Sequence, residues 1–134
     1  MRHLLAAAIL LVTTGSQPWK GRFVCEEQPA TLILDLYEES IEVPDMEVLG
    51  PMNGYLSGKG IYCTWMVVSH QIMDETHATM RISNDLGSEV QAVELTLQGD
   101  SLLTFQQVDG NVIKRVDGKK LVKIPQRLIF KRVE

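Results

Sequence analysis

The half of the chain from residue 76 to residue 134 consists of short segments in which apolar and polar residues alternate. A two-residue period is typical of β-strands that bury one face. The segments are separated by turn signals of the kind that joins antiparallel strands, namely Asn84-Asp85-Leu86-Gly87, Gly99-Asp100, Asp109-Gly110-Asn111 and Asp117-Gly118. This half of the chain therefore predicts an antiparallel meander.

The first sixteen residues have the pattern of a secretory signal peptide. A basic start, Met1-Arg2-His3, precedes an unbroken apolar run over residues 4–12 and small uncharged residues up to Ser16. The apolar run is too short to span a bilayer, which takes about 20 residues. We predict a signal peptide over residues 1–16 and a single domain over residues 17–134. This domain is expected in the periplasm or outside the cell, with no integral membrane segment after processing.

Further alternating segments precede residue 76, and they complete a count of about eight to ten strands. They are residues 19–25, 31–37, 41–43 and 61–69. A flat meander of this size would leave two unpaired edges, and closure into a barrel removes them. The predicted fold is all-β, an antiparallel meander closed into a small barrel. A two-sheet sandwich is the alternative, and it lacks pairing between the first and last strands.

The segment from residue 89 to residue 98 changes phase in its middle. Val90 and Ala92 share one face, whereas Val93 and Leu95 take the other. One extra residue in a strand pair produces such a change. We therefore predict a β-bulge at Ala92-Val93.

The two cysteines after the predicted signal peptide, Cys25 and Cys63, fall on the apolar faces of their segments. Cys63 shares its phase with Ile61, Trp65 and Val67. An even number of cysteines in an exported protein favours a disulfide. We predict a Cys25–Cys63 bond, with two buried free thiols as the alternative.

Basic residues are concentrated at the end of the chain. Residues 17–109 contain 4 Lys/Arg and 15 Asp/Glu, whereas residues 110–134 contain 8 Lys/Arg and 2 Asp/Glu. The last strands are expected to show a basic face to solvent and to pair with acidic neighbours. The alternative is a patch for an anionic ligand or partner. Basic and aromatic residues are not interleaved, so nucleic acid is not an expected partner.

The segment Trp19-Lys20-Gly21-Arg22-Phe23 resembles the first strand of calycins, the superfamily that includes lipocalins, fatty-acid-binding proteins and avidins. The resemblance implies a small lipocalin-like barrel whose floor is plugged by Trp19. It also implies that an arginine of the last strand, Arg127 or Arg132, packs over that tryptophan. Gln17 stands where the lipocalin signature has glycine.

Two later segments resemble a group of small exported bacterial lipocalin-like proteins of unassigned function. They are Arg81-Ile82-Ser83-Asn84-Asp85-Leu86-Gly87-Ser88-Glu89-Val90-Gln91 and Lys120-Leu121-Val122-Lys123-Ile124-Pro125. This second resemblance implies the same barrel and indicates no activity.

No catalytic or metal-binding motif is present in the sequence. His70, Asp74, Glu75 and His77 have the residue types of metal ligands, but their spacing matches no zinc motif. No nucleophile with an adjacent base is evident. We therefore predict a protein that is not an enzyme and uses no metal or cofactor.

A small barrel with these features suggests a binding protein. We predict that it binds a small apolar or amphipathic molecule, with Tyr55, Trp65 and Met80 near the cavity. The alternative is a protein–protein interaction module, an inhibitor or envelope-associated factor, that uses the segment 44–60. Prolines and glycines interrupt every regular pattern in this segment, and long irregular segments often carry function.

Overall fold

The computed structural model describes residues 17–134, so the predicted signal peptide lies outside the described residues. These residues form ten strands and one turn of 3-10 helix at Glu47–Leu49. The strands are β1 Lys20–Cys25, β2 Ala30–Asp35, β3 Gly54–Ser57, β4 Trp65–Ile72, β5 His77–Asn84, β6 Val90–Gln98, β7 Leu102–Gly110, β8 Lys114–Asp117, β9 Lys120–Lys123 and β10 Arg127–Arg132.

Eight of the strands form a closed antiparallel barrel in the order β1-β10-β7-β6-β5-β4-β3-β2. The barrel closes where β1 pairs with β10, with Phe23 opposite Arg132 and Val24 opposite Lys131. The predicted all-β barrel is confirmed. The sandwich alternative is wrong, because it has no pairing between the first and last barrel strands.

The inward side chains fill the barrel, as the alternation predicts. On β2, Leu32 and Leu34 are buried, and on β5 the buried side chains are Ala78, Met80 and Ile82. The phenyl rings of Phe105 and Phe130 pack with their centroids 5.8 Å apart. Other large side chains of this core are Trp19, Phe23, Leu56, Trp65, Leu95 and Leu103.

Connections between successive strands fall alternately at two ends of the barrel, which we name by their main features. The tryptophan end holds Trp19 and the connections 36–53, 73–76 and 99–101. The hairpin end holds the connections 26–29, 58–64, 85–89 and 111–126.

The predicted continuous meander is wrong in its last part, because β8 and β9 leave the barrel. They form a separate two-stranded sheet, and β10 returns to pair with β7. The predicted strand at residues 41–43 is reduced to one bridge between Ile41 and Met52. Asp109-Gly110-Asn111 therefore begins a crossing of the hairpin end rather than a barrel hairpin.

The predicted bulge at Ala92-Val93 is confirmed, since the β6–β7 register shifts between these residues. The extra residue lies on β7, because Ala92 pairs with Asp109 and Val93 with Gln107, which leaves Val108 unpaired. The bulge does not turn Val90 and Ala92 into the core. Gln91 takes the inward position instead and is 2 % exposed.

The predicted disulfide is wrong, because Cys25 and Cys63 are free thiols. The fourth strand begins at Trp65 rather than at Ile61, so Cys63 precedes it, in a left-handed backbone conformation with φ of 71°. Cys25 is buried on β1, whereas Cys63 is only half-buried. Burial and the nearby Asp85 carboxylate raise the pKa of the Cys63 thiol.

Asp35 fixes the base of the long connection 36–53 at the tryptophan end. Its carboxylate accepts hydrogen bonds from the Ser40 hydroxyl at 2.5 Å and from the backbone N–H groups of Tyr37 and Glu38. Burial raises the pKa of Asp35, but these bonds outweigh that effect and hold the pKa below its ordinary value.

Candidate functional site

The segment 111–126 forms a lid over the hairpin end. Its central part is the β8–β9 hairpin, and its base places Ile113 and Ile124 in the barrel core. The backbone N–H of Ile124 donates to the Ile113 carbonyl at 3.0 Å, which joins the two sides of the base. Both isoleucines are at most 4 % exposed. The base of the lid is therefore part of the hydrophobic core.

The lid contacts the connection 58–64 through its backbone. The Tyr62 N–H donates to the Lys114 carbonyl at 2.8 Å, and the Val116 N–H donates to the Gly60 carbonyl at 2.7 Å. An ion pair of 3.5 Å between Lys114 and Glu89 adds a contact to the β5–β6 turn. None of these bonds belongs to the barrel ladder. The lid can therefore separate from the connection without breaking the pairing of barrel strands.

Four buried polar atoms at the same end have no hydrogen-bond partner; one is Oε1 of Gln28 in the β1–β2 turn, and the other three belong to barrel strands. These three are Nε1 of Trp65, Oε1 of Gln91 and Oε1 of Gln107. Trp65 and Gln91 both lie opposite residues of β5. Trp65 of β4 pairs with Asn84 at the end of β5, and Gln91 of β6 pairs with Ile82. A buried polar group without a partner costs about 1–3 kcal/mol. The barrel strands thus leave one N–H donor and two acceptor oxygens unpaired near the lid.

The amide nitrogens of the two glutamines hold the start of the lid. Gln91 Nε2 donates to the Asn111 carbonyl at 2.9 Å, and Gln107 Nε2 donates to the Gly110 carbonyl at 2.9 Å. These bonds fix the orientation of the glutamine side chains. Gln91 therefore joins the barrel wall to the lid, and Gln107 fixes the end of β7 directly before it, while both glutamine oxygens remain available.

The three predicted ligand-binding residues divide between the inside and the outside of the barrel. Trp65 and Met80 are buried in the core. Tyr55 is half-buried and pairs with Ile33 on β2 and Met66 on β4, on the face opposite to the buried Leu56. Trp65 and Met80 are thus inside the barrel, and Tyr55 belongs to the outer wall.

The remaining residues of the candidate site, Gln91, Gln107 and Ile113, were not predicted from the sequence. A signal for Gln107 is present, because it shares the two-residue phase of Leu103 and Phe105. A glutamine in the phase of a buried face indicates an inward polar group. Gln91 carries the same signal, since it shares the phase of Val93 and Leu95, but the change of phase predicted at Ala92-Val93 assigned it to the opposite face.

The tryptophan end is closed in a different way. The indole Nε1 of Trp19, which is fully buried, donates to the Asp74 carbonyl at 2.9 Å. Arg132 donates to the carbonyls of Pro18 and Lys20, on both sides of Trp19, and to that of Asp100. Its guanidinium lies 4.6 Å above the ring of Phe23 rather than on the indole. Arg127 is exposed.

We expect Trp19→Phe to lower the free energy of unfolding by about 1–2 kcal/mol more than Trp65→Phe. Both substitutions leave a similar cavity, but only Trp19 loses an indole hydrogen bond, whereas Trp65 loses an N–H group that has no partner. Urea unfolding followed by circular dichroism measures the difference. Equal losses for the two variants would contradict the unpaired state of the Trp65 indole.

A cleft of about 280 Å³ separates the lid from the β1–β2 turn. Its residues come from the turn, from the connection 58–64 and from β8, and they are Glu27, Gln28, Pro29, Lys59, Gly60, Arg115 and Val116. This edge of the lid is therefore not packed against the β1–β2 turn, and the lid is held by the connection 58–64 and by Glu89 of the β5–β6 turn.

The sequence predicts no metal site at the four residues that have the types of metal ligands, which are His70, Asp74, Glu75 and His77. His70 Nε2 donates to the Leu36 carbonyl at 2.8 Å, while Asp74 accepts bonds from Thr76 and His77 in its own turn. The Thr76 N–H contributes most to lowering the pKa of Asp74 to about 2. Within residues 17–134, no group of three His, Cys, Asp or Glu side chains could hold a metal ion.

Comparison with known proteins places this eight-stranded barrel in no family. No family model, no curated protein and no solved structure matches the chain. The part of the chain that the structure describes contains no helix long and apolar enough to cross a membrane.

Proposed function

We propose that this protein is a lipocalin-like binding protein that holds a small amphipathic molecule at the hairpin end of the barrel. The observation that carries the proposal is the set of three unpaired polar atoms on Trp65, Gln91 and Gln107 near a separable lid. Eight strands make the smallest barrel that can hold one small ligand. The resemblance of the segment 19–23 to calycins supports the same function.

The chemistry of these atoms defines the class of ligand. The Trp65 N–H requires an acceptor, and the two glutamine oxygens require donors. A hydroxyl or primary amide group supplies both. The space that Ile113 and Ile124 occupy is part of the hydrophobic core, which favours an apolar body next to that polar group.

Binding requires movement of the lid, because the barrel interior is filled by side chains. A ligand would take the space of Ile113 and Ile124, the core residues that belong to the lid itself. Beyond its base, the lid is held by one ion pair and by two backbone hydrogen bonds, which together form the bridge between Ile61 and Arg115. Displacement of the lid leaves the eight-stranded ladder intact, so the barrel can remain folded as the ligand enters.

Native mass spectrometry of the protein purified from its own host tests the proposal. We expect a retained small molecule on the wild-type protein and its loss from the double variant Gln91→Leu with Gln107→Leu. Gln98→Leu with Gln106→Leu is the matched control, since Gln98 is exposed and Gln106 is not among the buried residues. The control variant should retain the molecule, as the wild-type protein does.

The absence of any adduct on the wild-type protein would contradict the proposal. An adduct that survives in the double variant would contradict the role of the glutamines. If ordered water alone satisfies these atoms, ligand titrations will leave the NMR signal of the Trp65 indole N–H unchanged.

A second function, as a protein-interaction module, is favoured by the 3-10 turn in the segment 44–60. Val48 is 91 % exposed and Leu49 is 53 % exposed, although both are aliphatic. Adjacent exposed apolar side chains favour contact with another protein. Chemical cross-linking in the host with Val48→Ser and Leu49→Ser tests this function, and unchanged cross-links would contradict it.

A further inference from the structure

Charges of opposite sign are concentrated in one connection at each end of the barrel. The connections at the tryptophan end contain acidic residues and no Lys or Arg. Five of the acidic side chains lie in the connection 36–53, which we call the acidic loop, and all five are exposed; they are Glu38, Glu39, Glu42, Asp45 and Glu47. No ion pair with a lysine or arginine of residues 17–134 involves these five.

At the hairpin end the basic charge is concentrated in the lid, since the turns 26–29 and 85–89 of the same end are acidic. We call the β8–β9 hairpin, residues 114–123, the basic finger, because it contains five Lys or Arg and a single acidic residue, Asp117. Lys114 pairs with Glu89, and Arg115 pairs with Asp117 at 3.9 Å. Within the described part of the chain, no ion pair involves the remaining three, which are Lys119, Lys120 and Lys123.

Both charged surfaces also expose aliphatic side chains. Val116 and Leu121 lie opposite each other on the basic finger, and each is 47 % exposed. Lys114 and Lys123 form the next pair on the same face of this hairpin. On the acidic loop, Val48 and Leu49 directly follow Glu47. Each surface therefore combines an apolar centre with charges of one sign.

We propose that the basic finger of one molecule binds the acidic loop of a second copy of the chain. The proposal rests on the second function given above and names the partner of the segment 44–60; it is independent of the ligand site. The charge of each surface is opposite to that of the other, and the aliphatic pairs supply a dry centre of the kind that interfaces require. Both surfaces are present on every molecule.

The charges determine the direction of association. Two basic fingers repel each other, and so do two acidic loops, which disfavours a symmetric dimer. The contact is therefore head to tail, and such contacts form rings or open chains of molecules. The two surfaces lie at opposite ends of the barrel, so a molecule can use both at once.

Sedimentation velocity over a range of protein and salt concentrations tests the proposal. We expect association that grows with protein concentration at low salt and is lost at high salt, because the Debye length falls from about 30 Å at 0.01 M to about 3 Å at 1 M. A finger of this size gives a small interface, so the affinity is expected to be weak. The wild-type mature chain is sufficient for the measurement.

Charge reversal provides the decisive comparison. Lys119→Glu, Lys120→Glu and Lys123→Glu together make the net charge of the finger negative, and Glu39→Lys, Glu42→Lys and Glu47→Lys together make the net charge of the loop positive. Each variant alone should associate at least about tenfold more weakly than the wild type. An equal mixture of the two variants should recover association, because one variant is acidic at both surfaces and the other is basic at both. Arg22→Glu with Arg81→Glu reverses two exposed charges of the barrel wall and should leave association unchanged.

Three results would overturn this inference. The wild type could remain monomeric at all salt concentrations, either reversed variant could associate as the wild type does, or the mixture could fail to recover association. Wild-type protein that is monomeric but sediments with phosphatidylglycerol vesicles would assign the finger to a lipid surface instead. If the wild type is monomeric but substitution of Val48 and Leu49 still changes the cross-links in the host, the interaction function stands. Only a second copy of the chain is then excluded as the partner.

Discussion

Arg132→Met is expected to lower the free energy of unfolding by about 2–3 kcal/mol. The guanidinium donates to three backbone carbonyls and lies over Phe23, and hydrogen bonds from a charged donor contribute about 1.5–3 kcal/mol each when buried. Solvent contact at two of the three bonds reduces their contribution. Methionine keeps the aliphatic stem, so the loss reports the polar contacts.

The location of these contacts adds to the expected effect. The β1–β10 ladder has only two paired positions, extended by backbone bonds between Arg22 and both Val133 and Glu134. Arg132 also joins this seam to the β6–β7 turn through the Asp100 carbonyl at 2.6 Å. Its removal should therefore increase hydrogen exchange along β1 more than along β5, which has complete neighbours on both sides.

Arg127→Met is the matched control, because Arg127 is an exposed arginine of the same strand. Its effect should lie within about 0.5 kcal/mol of zero, as for most surface substitutions. Urea unfolding followed by tryptophan fluorescence compares the two variants. Similar losses for both would show that Arg132 does not fasten the barrel seam.

The sequence predicted the barrel because its strands bury one face and leave the other in water. That asymmetry produced the alternation on β2 and β5. Leu32 and Leu34 of β2 and Met80 and Ile82 of β5 all point into the barrel, as expected. The register shift lies at the predicted place, Ala92-Val93, but β6 itself alternates regularly, so the change of phase read from its sequence was not the signature of the bulge. Which strand carries the extra residue was not visible, because either strand of the pair can accommodate it.

The structure of the hairpin end was predictable only in part, because its connections lie outside the regular alternation of the barrel strands. Cys63 is in the apolar phase of the following strand, but its positive φ removes it from that strand. The alternating pattern of residues 114–123 is real, yet it belongs to a hairpin outside the barrel. Alternation identifies a strand and its faces, whereas the partner of that strand depends on contacts distant in sequence.

The two ends of the barrel therefore differ in how they are closed. At the tryptophan end, Arg132 and the Trp19 indole bond to backbone carbonyls of separate connections. At the hairpin end, the closing side chains Ile113 and Ile124 belong to a segment that can move without disturbing the ladder. This contrast is the reason that the proposed ligand entry is at the hairpin end, where Gln91 and Gln107 have unpaired oxygens.

Gly110→Ala is expected to lower the free energy of unfolding by about 3 kcal/mol and to loosen the lid. Gly110 has a φ of 92° and lies opposite Gln91, where a Cβ atom would overlap the Val90 carbonyl oxygen. A strained backbone conformation costs about 1–3 kcal/mol, and overpacking adds a similar amount. Relief of the overlap moves the end of β7 away from β6, because the obstructing atoms are backbone.

Movement at this position also reaches the lid. The Asn111 N–H donates to the Val90 carbonyl at 2.8 Å, and the Gln91 amide donates to Asn111. Both bonds weaken if the end of β7 shifts. We therefore expect faster hydrogen exchange at the amides of Tyr62 and Val116, which donate across the lid contact.

Gly118→Ala separates backbone strain from the steric overlap. Gly118 has a φ of 66° in the β8–β9 turn, with open space around a Cβ atom. Its substitution should cost about 1 kcal/mol and leave the amides of Tyr62 and Val116 protected. Equal losses for the two glycine variants would mean that the crossing from β7 into the lid is not a tight junction. The lid would then have to be anchored by its isoleucines alone, so that Ile113→Ala rather than Gly110→Ala would control its release.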